Sequence, residues 1–434
     1  MKKSRVLPKN WEEKKLEELL EFVIGGDWGK DENYEDENYD LAYCIRGSEI
    51  KNWNEEKGKT ASLRKIKKQN IAKRNLIEGD ILVEISGGGP EQPVGRTVLI
   101  DKATLSFQPQ IPKICTNFLR LIRPNKNINS AYLNNYLTFF YKSGEIINYQ
   151  GGSNNLRNLK FPDYQQLKIP IPPFSEQQAI VQKIEELFSE LDKSIENLKT
   201  AQQQIKTFRQ SVLKSAFEGK LTSKKEDENL MIVAEPNLEY GEKTLPKAWK
   251  WNFIGDLTIS FDGKRIPLSK EVRAKRKGNF RYYGATTIVD YIDDFIFDGK
   301  YILIGEDGAN LLSKSKPLSF IVEGKFWVNN HAHILQTKEI LNLEYFNYYF
   351  NSLNLNEYIT GTAQPKLTQN NLKKIKIPIP ELFEQIEIVN ELDSRFSVAD
   401  KLEESINQSL LQAETLRQSI LKRAFEGKLL KSKK

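Results

Sequence analysis

At 434 residues, with 39% apolar and 28% charged side chains, the chain holds enough core-forming material for about two to four domains, and no run of about 18 uncharged apolar residues suggests a membrane span. The formal net charge of +7 permits nucleic acid as a partner without demanding it, and two cysteines, Cys44 and Cys115, without CxxC spacing argue against a disulfide framework. The opening MKKSRVLPKNWEEKKL is basic, but no apolar core of a signal peptide follows, so the expected compartment is the cytoplasm.

Block one, residues 6–169, mixes short β-type runs (GDILVEIS, TVLID) between Gly/Pro/Asn turns with a helical stretch at residues 130–148. Residues 57–74 carry eight Lys or Arg and no acid, a density suited to phosphate contacts, and Lys65 and Lys68 are the anchors chosen from it. Arg46, Ser48, Arg96, Asn154 and Asn155 occupy turn-rich positions and have the chemistry to read base edges. GGGP at residues 87–90 follows a strand but lacks the glycine spacing of a dinucleotide loop. The block closes on GGSNNLRNL and then IPIP.

Residues 170–221 return without a gap as residues 378–429, with 25 of 52 paired positions identical. LPKNW at residues 7–11 and LPKAW at residues 245–249 mark the same start in each half. Such a period is far too long for a solenoid, so each half reads as entry motif, variable block, IPIP and long helix. Apolar residues in the first helix fall at Ile180, Ile184, Leu187, Leu191, Leu198, Ala201, Ile205, Phe208 and Val212. Those of the second fall at Ile388, Leu392, Ala399, Leu402, Ile406, Ala413, Leu416 and Ile420, a heptad seam interrupted at Arg395. Proline precedes each helix and Gly219 or Gly427 follows it. About 42 residues at about 1.5 Å each form a rod of roughly 60 Å, too long for one block to cover, so each helix is expected to pair antiparallel with the other. The tails FRQSVLKSAFEGKL and LRQSILKRAFEGKL also match outside the seam. That predicts two equal docking seats, one at Arg209, Gln210, Lys214 and Phe217, the other at Arg417, Gln418, Lys422 and Phe425.

After a linker at residues 223–243, block two runs from residue 244 to 377, with β-type runs YILIG and SFIV and a helical stretch at residues 343–358. Residues 264–281 carry eight Lys or Arg and one acid, Glu271, and run into Tyr282 and Tyr283, interleaving cations with aromatic rings. Lys264, Arg265, Arg281, Tyr282, Tyr283, Thr286, Asn310, Gln364 and Lys366 are the expected DNA contacts of this block. His331 and His333 share one side of a strand without further metal ligands nearby, which favours a structural or DNA-edge role over a metal. IPPF at residues 171–174 lacks the hydrogen-bonding residue with which an amino-methyltransferase holds its base, and there is no GxxxxGK[ST] loop. No catalytic residue, cofactor site or metal site is expected in this chain.

GTAQPKLTQNNLKKIKIPIPELFEQIEIV at residues 361–389 and FPDYQQLKIPIPPFSEQQAIV at residues 161–181, each between a variable block and a long helix, resemble type I restriction-modification specificity subunits. The resemblance covers essentially the whole chain and implies an α+β fold with a pseudo-twofold internal repeat. Target recognition domains at residues 1–172 and 244–380 would be held apart by antiparallel coiled-coil spacer helices at 173–222 and 381–434. Each domain would read half of a split site on double-stranded DNA. The family chain has no catalysis of its own; it docks two methyltransferase subunits that carry S-adenosylmethionine and modify adenine. Through them it docks two restriction subunits that use ATP and magnesium. Block one departs from the pattern, because its exit loop lacks the QPKL of residues 364–367. Two other readings stay open: the DNA-reading subunit of a methyltransferase-nuclease without ATP translocation, and a coiled-coil adaptor that reads no DNA.

Overall fold

A computed structural model describes residues 7–89, 92–152, 157–222, 245–361 and 364–430. Asn154, Asn155 and the linker at residues 223–243 lie outside the described residues. The chain is built as two α+β domains and two long helices, Phe174–Phe217 and Leu382–Phe425, which correspond position for position in the repeat. It divides into two compact units. Unit 1 comprises residues 1–197 and 409–434, and unit 2 comprises residues 198–408, so each unit holds one block and part of both helices.

In unit 1 the strands Leu20–Gly25, Leu119–Pro124, Ile81–Glu84 and Thr97–Leu99 form an antiparallel sheet in that order. A second sheet places Tyr39–Ile45 between Ser62–Lys67 and Lys113–Cys115, the latter pair parallel. Helix Ser130–Lys142 buries Tyr132, Leu133, Tyr136, Leu137 and Phe140 toward the core. These side chains recur at spacings of three and four, which places them on one face.

Unit 2 carries a six-stranded sheet in the order Thr258–Ser260, Ala332–Thr337, Phe297–Gly305, Ser319–Val328, Lys277–Tyr283 and Ile288–Ile292. Its neighbours are antiparallel except for the pair Lys277–Tyr283 with Ser319–Val328. The helix Leu343–Ser352 stands in the place of Ser130–Lys142.

The repeated residues make the same bonds in both units. Entry strand pairs with exit strand, Glu12–Lys15 with Lys168–Ile171 and Lys250–Phe253 with Lys376–Ile379. The Trp11 indole N–H donates to Glu176 at 3.1 Å, and the Trp249 indole N–H to Glu384 at 3.1 Å. Gln177 accepts the Asn129 backbone N–H at 2.8 Å and donates to the Pro172 carbonyl at 3.0 Å; Gln385 does the same with Asn342 and Pro380 at the same distances. The shared Glu-Gln pair is therefore a clamp fixing where each helix leaves its block, and both glutamines are buried with their amides satisfied.

The tails of the helices close the other side of each unit. Phe425 packs edge-on against Tyr132 and Tyr136, with ring centroids 5.4 and 5.0 Å away, while Phe217 meets Tyr345 and Tyr349 at 5.3 and 5.0 Å. Gly427 and Gly219 then turn the chain with φ of 68° and 69°. A Cβ at either would lie 2.4 or 2.3 Å from the ring of Pro8 or Pro246, so only glycine combines the left-handed turn with that approach.

Within each unit the helices run antiparallel. In unit 2 Gln202 bonds Asn407 at 2.7 Å and Arg209 pairs with Asp400, so a rise of seven on one helix matches a fall of seven on the other. In unit 1 Arg417 pairs with Asp192 and its guanidinium lies 4.6 Å from the Phe188 ring centroid. Ile180, Ile184, Leu191, Ile205, Val212, Ile388, Leu392, Ala399, Ala413 and Ile420 are buried as the heptad reading expects. Leu402 and Leu416 are not; both are about half exposed.

Candidate nucleic-acid interface

The basic stretches look different once folded. In unit 1 Lys57 is 2.8 Å from Asp101, Arg64 pairs with Asp31 and stacks 4.3 Å from the Trp28 ring centroid, and Arg74 donates to the Gly25 carbonyl at 2.9 Å. Lys68 stays exposed and Lys65 is partly exposed. In unit 2 Arg273 meets Asp290 at 3.2 Å, Arg276 meets Asp293 at 2.8 Å, and Lys277 meets Asp290 at 2.5 Å. Arg281 donates to the Glu323 carbonyl. The local sequence holds one acid, but the fold brings Asp290 and Asp293 to three of its eight cations and Glu306 to a fourth, Arg265, so half of this run is paired with acids. Lys264 remains exposed.

Tyr282 and Tyr283 correct the sequence expectation outright. Both are buried: Tyr282 accepts the Leu268 backbone N–H at 3.0 Å, and Tyr283 packs on Phe320 and Phe326. Their alternation with cations is internal, since Arg273 stacks on Tyr282 and Arg281 on Tyr283. Phe217 and Phe425 are likewise unavailable to a docking partner, being fully buried against aromatic rings of their own units. Arg209 and Arg417 are engaged in the helix pair. Of the tail residues, Gln210 and Lys422 are exposed, whereas Lys214 and Gln418 are partly buried.

Three residues of block one do converge. Arg46, Ser48 and Arg96 line a cleft of about 710 Å³ together with the exposed rings of Trp28 and Phe118 and with Asn117. Arg46 grips buried Glu49 with two guanidinium nitrogens, at 3.0 and 2.6 Å, and Ser48 donates to the same carboxylate at 3.0 Å. Arg96 is bound to buried Glu84, with Nε–H donating at 2.8 Å. Hydrogen bonds to these carboxylates hold both guanidinium groups above their ordinary pKa; Arg96, with its two nitrogens on different oxygens of Glu84, makes the bidentate fork favoured by Arg, whereas the two shortest guanidinium bonds of Arg46 converge on one oxygen of Glu49. These arginines are thus fixed at the wall of the cleft.

Block two gathers its candidates at one end of the six-stranded sheet. Arg265 donates to Glu306 and to the Ala332 carbonyl at 2.5 and 2.8 Å, and Lys366 reaches Glu306 at 3.2 Å. Buried His333 lies between Asp262, at 2.6 Å, and the Leu367 carbonyl, at 2.8 Å. His331 is exposed and faces Asp307 at 2.8 Å. Burial alone would raise the carboxyls of Asp262 and Glu306, but bonds from His333 to the first and from Arg265 to the second hold both below the usual range. Asn310 is spent on its own loop, accepting the Lys316 N–H at 2.8 Å. Gln364 is exposed and Thr286 partly exposed. Sequence reasoning missed Glu84, Glu49, Asp262 and Glu306. The one available signal was an acid directly after a buried β run, as in ILVE and ILIGE.

Among the described residues no group of three or more His, Cys, Asp or Glu has the geometry to hold a metal ion, and no helix is long and apolar enough to cross a membrane.

Duplicated clamps carrying unlike loop ends are what a comparison with known families has to explain, and the model for the type I restriction modification DNA specificity domain matches residues 8–207 and 246–412. The chain belongs to that family. As a specificity-family chain it is 24% identical over 455 residues to the type I restriction enzyme StySPI specificity subunit of Salmonella potsdam, covering 98% of this chain and 90% of the relative. It is 25% identical over 451 residues, with the same coverage, to the EcoKI specificity subunit of Escherichia coli K12. A putative specificity subunit of Haemophilus influenzae is 36% identical over 145 residues, spanning 33% of this chain and 37% of the relative. The fold agrees with a chain from "Structural basis underlying complex assembly and conformational transition of the type I R-M system", at TM-score 0.71 and 18% identity over 98% of this chain and 100% of that one. It also agrees with the HsdS subunit from Thermoanaerobacter tengcongensis, at TM-score 0.57 and 19% identity over 99% and 100%.

Proposed function

We propose that the chain is the non-catalytic DNA-specificity subunit of a type I restriction-modification complex, with each block reading one half of a bipartite site. The observation that carries this reading is the pairing of identical clamps with different loop ends. Glu176 and Glu384, Gln177 and Gln385, and Phe425 and Phe217 make the same bonds or contacts in the two units. The cleft of block one and the ion cluster of block two share no residue pattern. A fixed frame with two different ends suits two different half-sites. Linked sites on a stiff connector gain affinity only at the right separation, so the helix pair, acting as a coiled-coil spacer, sets the number of unread base pairs.

In this reading the exposed parts of the repeated tails, Gln210 and Lys422 among them, seat two methyltransferase subunits that bring S-adenosylmethionine. Two restriction subunits bring ATP and magnesium chemistry. The complex works in the cytoplasm. Sequencing of methylated adenines in DNA from cells carrying the complex tests it. Exchanging residues 244–377 for the matching block of a relative is expected to change one half of the methylated motif and leave the other intact. Deleting seven residues from both helices changes only the gap. Methylation of the same motif without this chain refutes the reading.

A further inference from the structure

His333 stands between two groups that only accept hydrogen bonds. Its Nε2 is 2.8 Å from the Leu367 carbonyl and its Nδ1 is 2.6 Å from Asp262 Oδ2. A neutral imidazole has one N–H, so it would turn a bare lone pair toward a carbonyl or a carboxylate in a site without water access. Rotating the ring would put carbon against both oxygens. Protonation of Asp262 would be the other escape, but that carboxylate already accepts the Ile334 backbone N–H at 2.9 Å and lies 3.4 Å from the Gln369 amide nitrogen and 3.7 Å from Arg265. Several donors around one carboxylate favour its ionised form. The other charged groups facing the ring are Glu306, 3.8 Å away, with Arg265 and Lys366, both of which Glu306 itself binds.

The elements joined here come from four parts of block two. Asp262 precedes exposed Lys264, Glu306 directly follows a central strand, His333 follows exposed His331, and Leu367 ends the exit loop bearing exposed Gln364. The loop is also held by the Leu367 N–H on the Glu306 carbonyl at 2.8 Å and the Gly308 N–H on the Pro365 carbonyl at 3.0 Å. Both histidines of the chain lie in unit 2; at the matching place in unit 1 the Leu159 N–H bonds the Ile85 carbonyl at 2.9 Å and the strand Arg157–Leu159 pairs with Ser86–Gly88, without a histidine to bridge them.

We propose that His333 is held as an imidazolium and is the positioning residue of the block-two reading surface, locking the exit loop to the segment carrying Lys264 so that Gln364 and Lys264 present one fixed set of donors to DNA. This rests on the proposed function for its readout on DNA, but its protonation state does not. In the full chain labelled with ¹⁵N-histidine, His333 is expected to show both ring nitrogens protonated at the pH of the binding assay, assigned by comparison with His331→Asn. A single protonated nitrogen overturns the proposal.

In the assembled complex, His333→Gln is expected to lower discrimination against altered block-two half-sites at least tenfold while leaving block-one discrimination unchanged. Asp262→Asn, which keeps the shape and removes the counter-charge, should shift the ring spectrum and weaken the same half-site, and it serves if His333→Gln fails to fold. Unchanged discrimination at both half-sites in a folded variant, or equal loss at both, overturns the positioning role. If the unaltered complex discriminates at neither half-site, the proposed function fails instead, whatever the spectrum shows.

Discussion

The two units solve the same mechanical problem with the same residues and end in different chemistry. Unit 1 seats Phe425 among Tyr132, Tyr136 and Phe139 and opens into a cleft whose arginines are bonded to Glu49 and Glu84. Unit 2 seats Phe217 on Tyr345 and Tyr349 and ends in a histidine-centred cluster. Residues that hold a helix to a block are under one geometric demand in both copies. Residues at the loop ends answer to whatever each end meets, and nothing forces them to agree.

The composition supplies a separate reporter for each unit, because both cysteines lie in unit 1 and both histidines in unit 2. The largest expected effect uses them. Phe425→Ala should destabilise unit 1 by about 3–5 kcal/mol, the usual cost of emptying an aromatic core site, and Phe217→Ala should do the same to unit 2. Denaturation followed by thiol labelling and by histidine resonances checks this, and equal loss of both signals in either variant breaks the comparison. The labelling works because burial pushes the thiols of Cys44 and Cys115 up to about 12, so neither should react at pH 8 until unit 1 opens.

A smaller effect is expected at the clamps. Glu176→Ala and Glu384→Ala each strand an indole N–H, and about 1–3 kcal/mol should be lost from the corresponding unit alone. On DNA, Lys68→Ala and Lys264→Ala should each reduce the slope of log affinity against log salt by about one if each contacts a phosphate. Arg273→Ala should instead cost stability, its charge being already matched by Asp290.

Acid sharpens the contrast further. The carboxyls of Asp262 and Glu306 are depressed on folding, so their contribution is present above the unfolded carboxylate range, near pH 4, and is lost as pH falls through their folded values. Glu306→Gln should flatten that part of the acid profile of unit 2 and leave the thiol-reported profile of unit 1 as it was. Smallest of all, Leu402→Gln and Leu416→Gln in the isolated chain should shift stability by no more than about 0.5 kcal/mol, both side chains being half exposed.

Much of the frame was legible in the chain as written. A gapless repeat, two entry motifs and proline and glycine at the helix ends are local or periodic signals, and they determined two α+β blocks with two long helices. Hydrophobic spacing also placed most of the seam, because burial of a helix face follows period alone. Only the tertiary structure decided what the charged and aromatic residues do. Tyr282, Tyr283, Phe217 and Phe425 looked like surface and proved to be core, and half of the cations of residues 264–281 found acids outside that run. A side chain's charge is local information, but its partner is set by strands and loops that meet only after folding. Whether a cation is free for DNA or already paired is therefore a property of the assembled sheet ends, not of the run in which it is written.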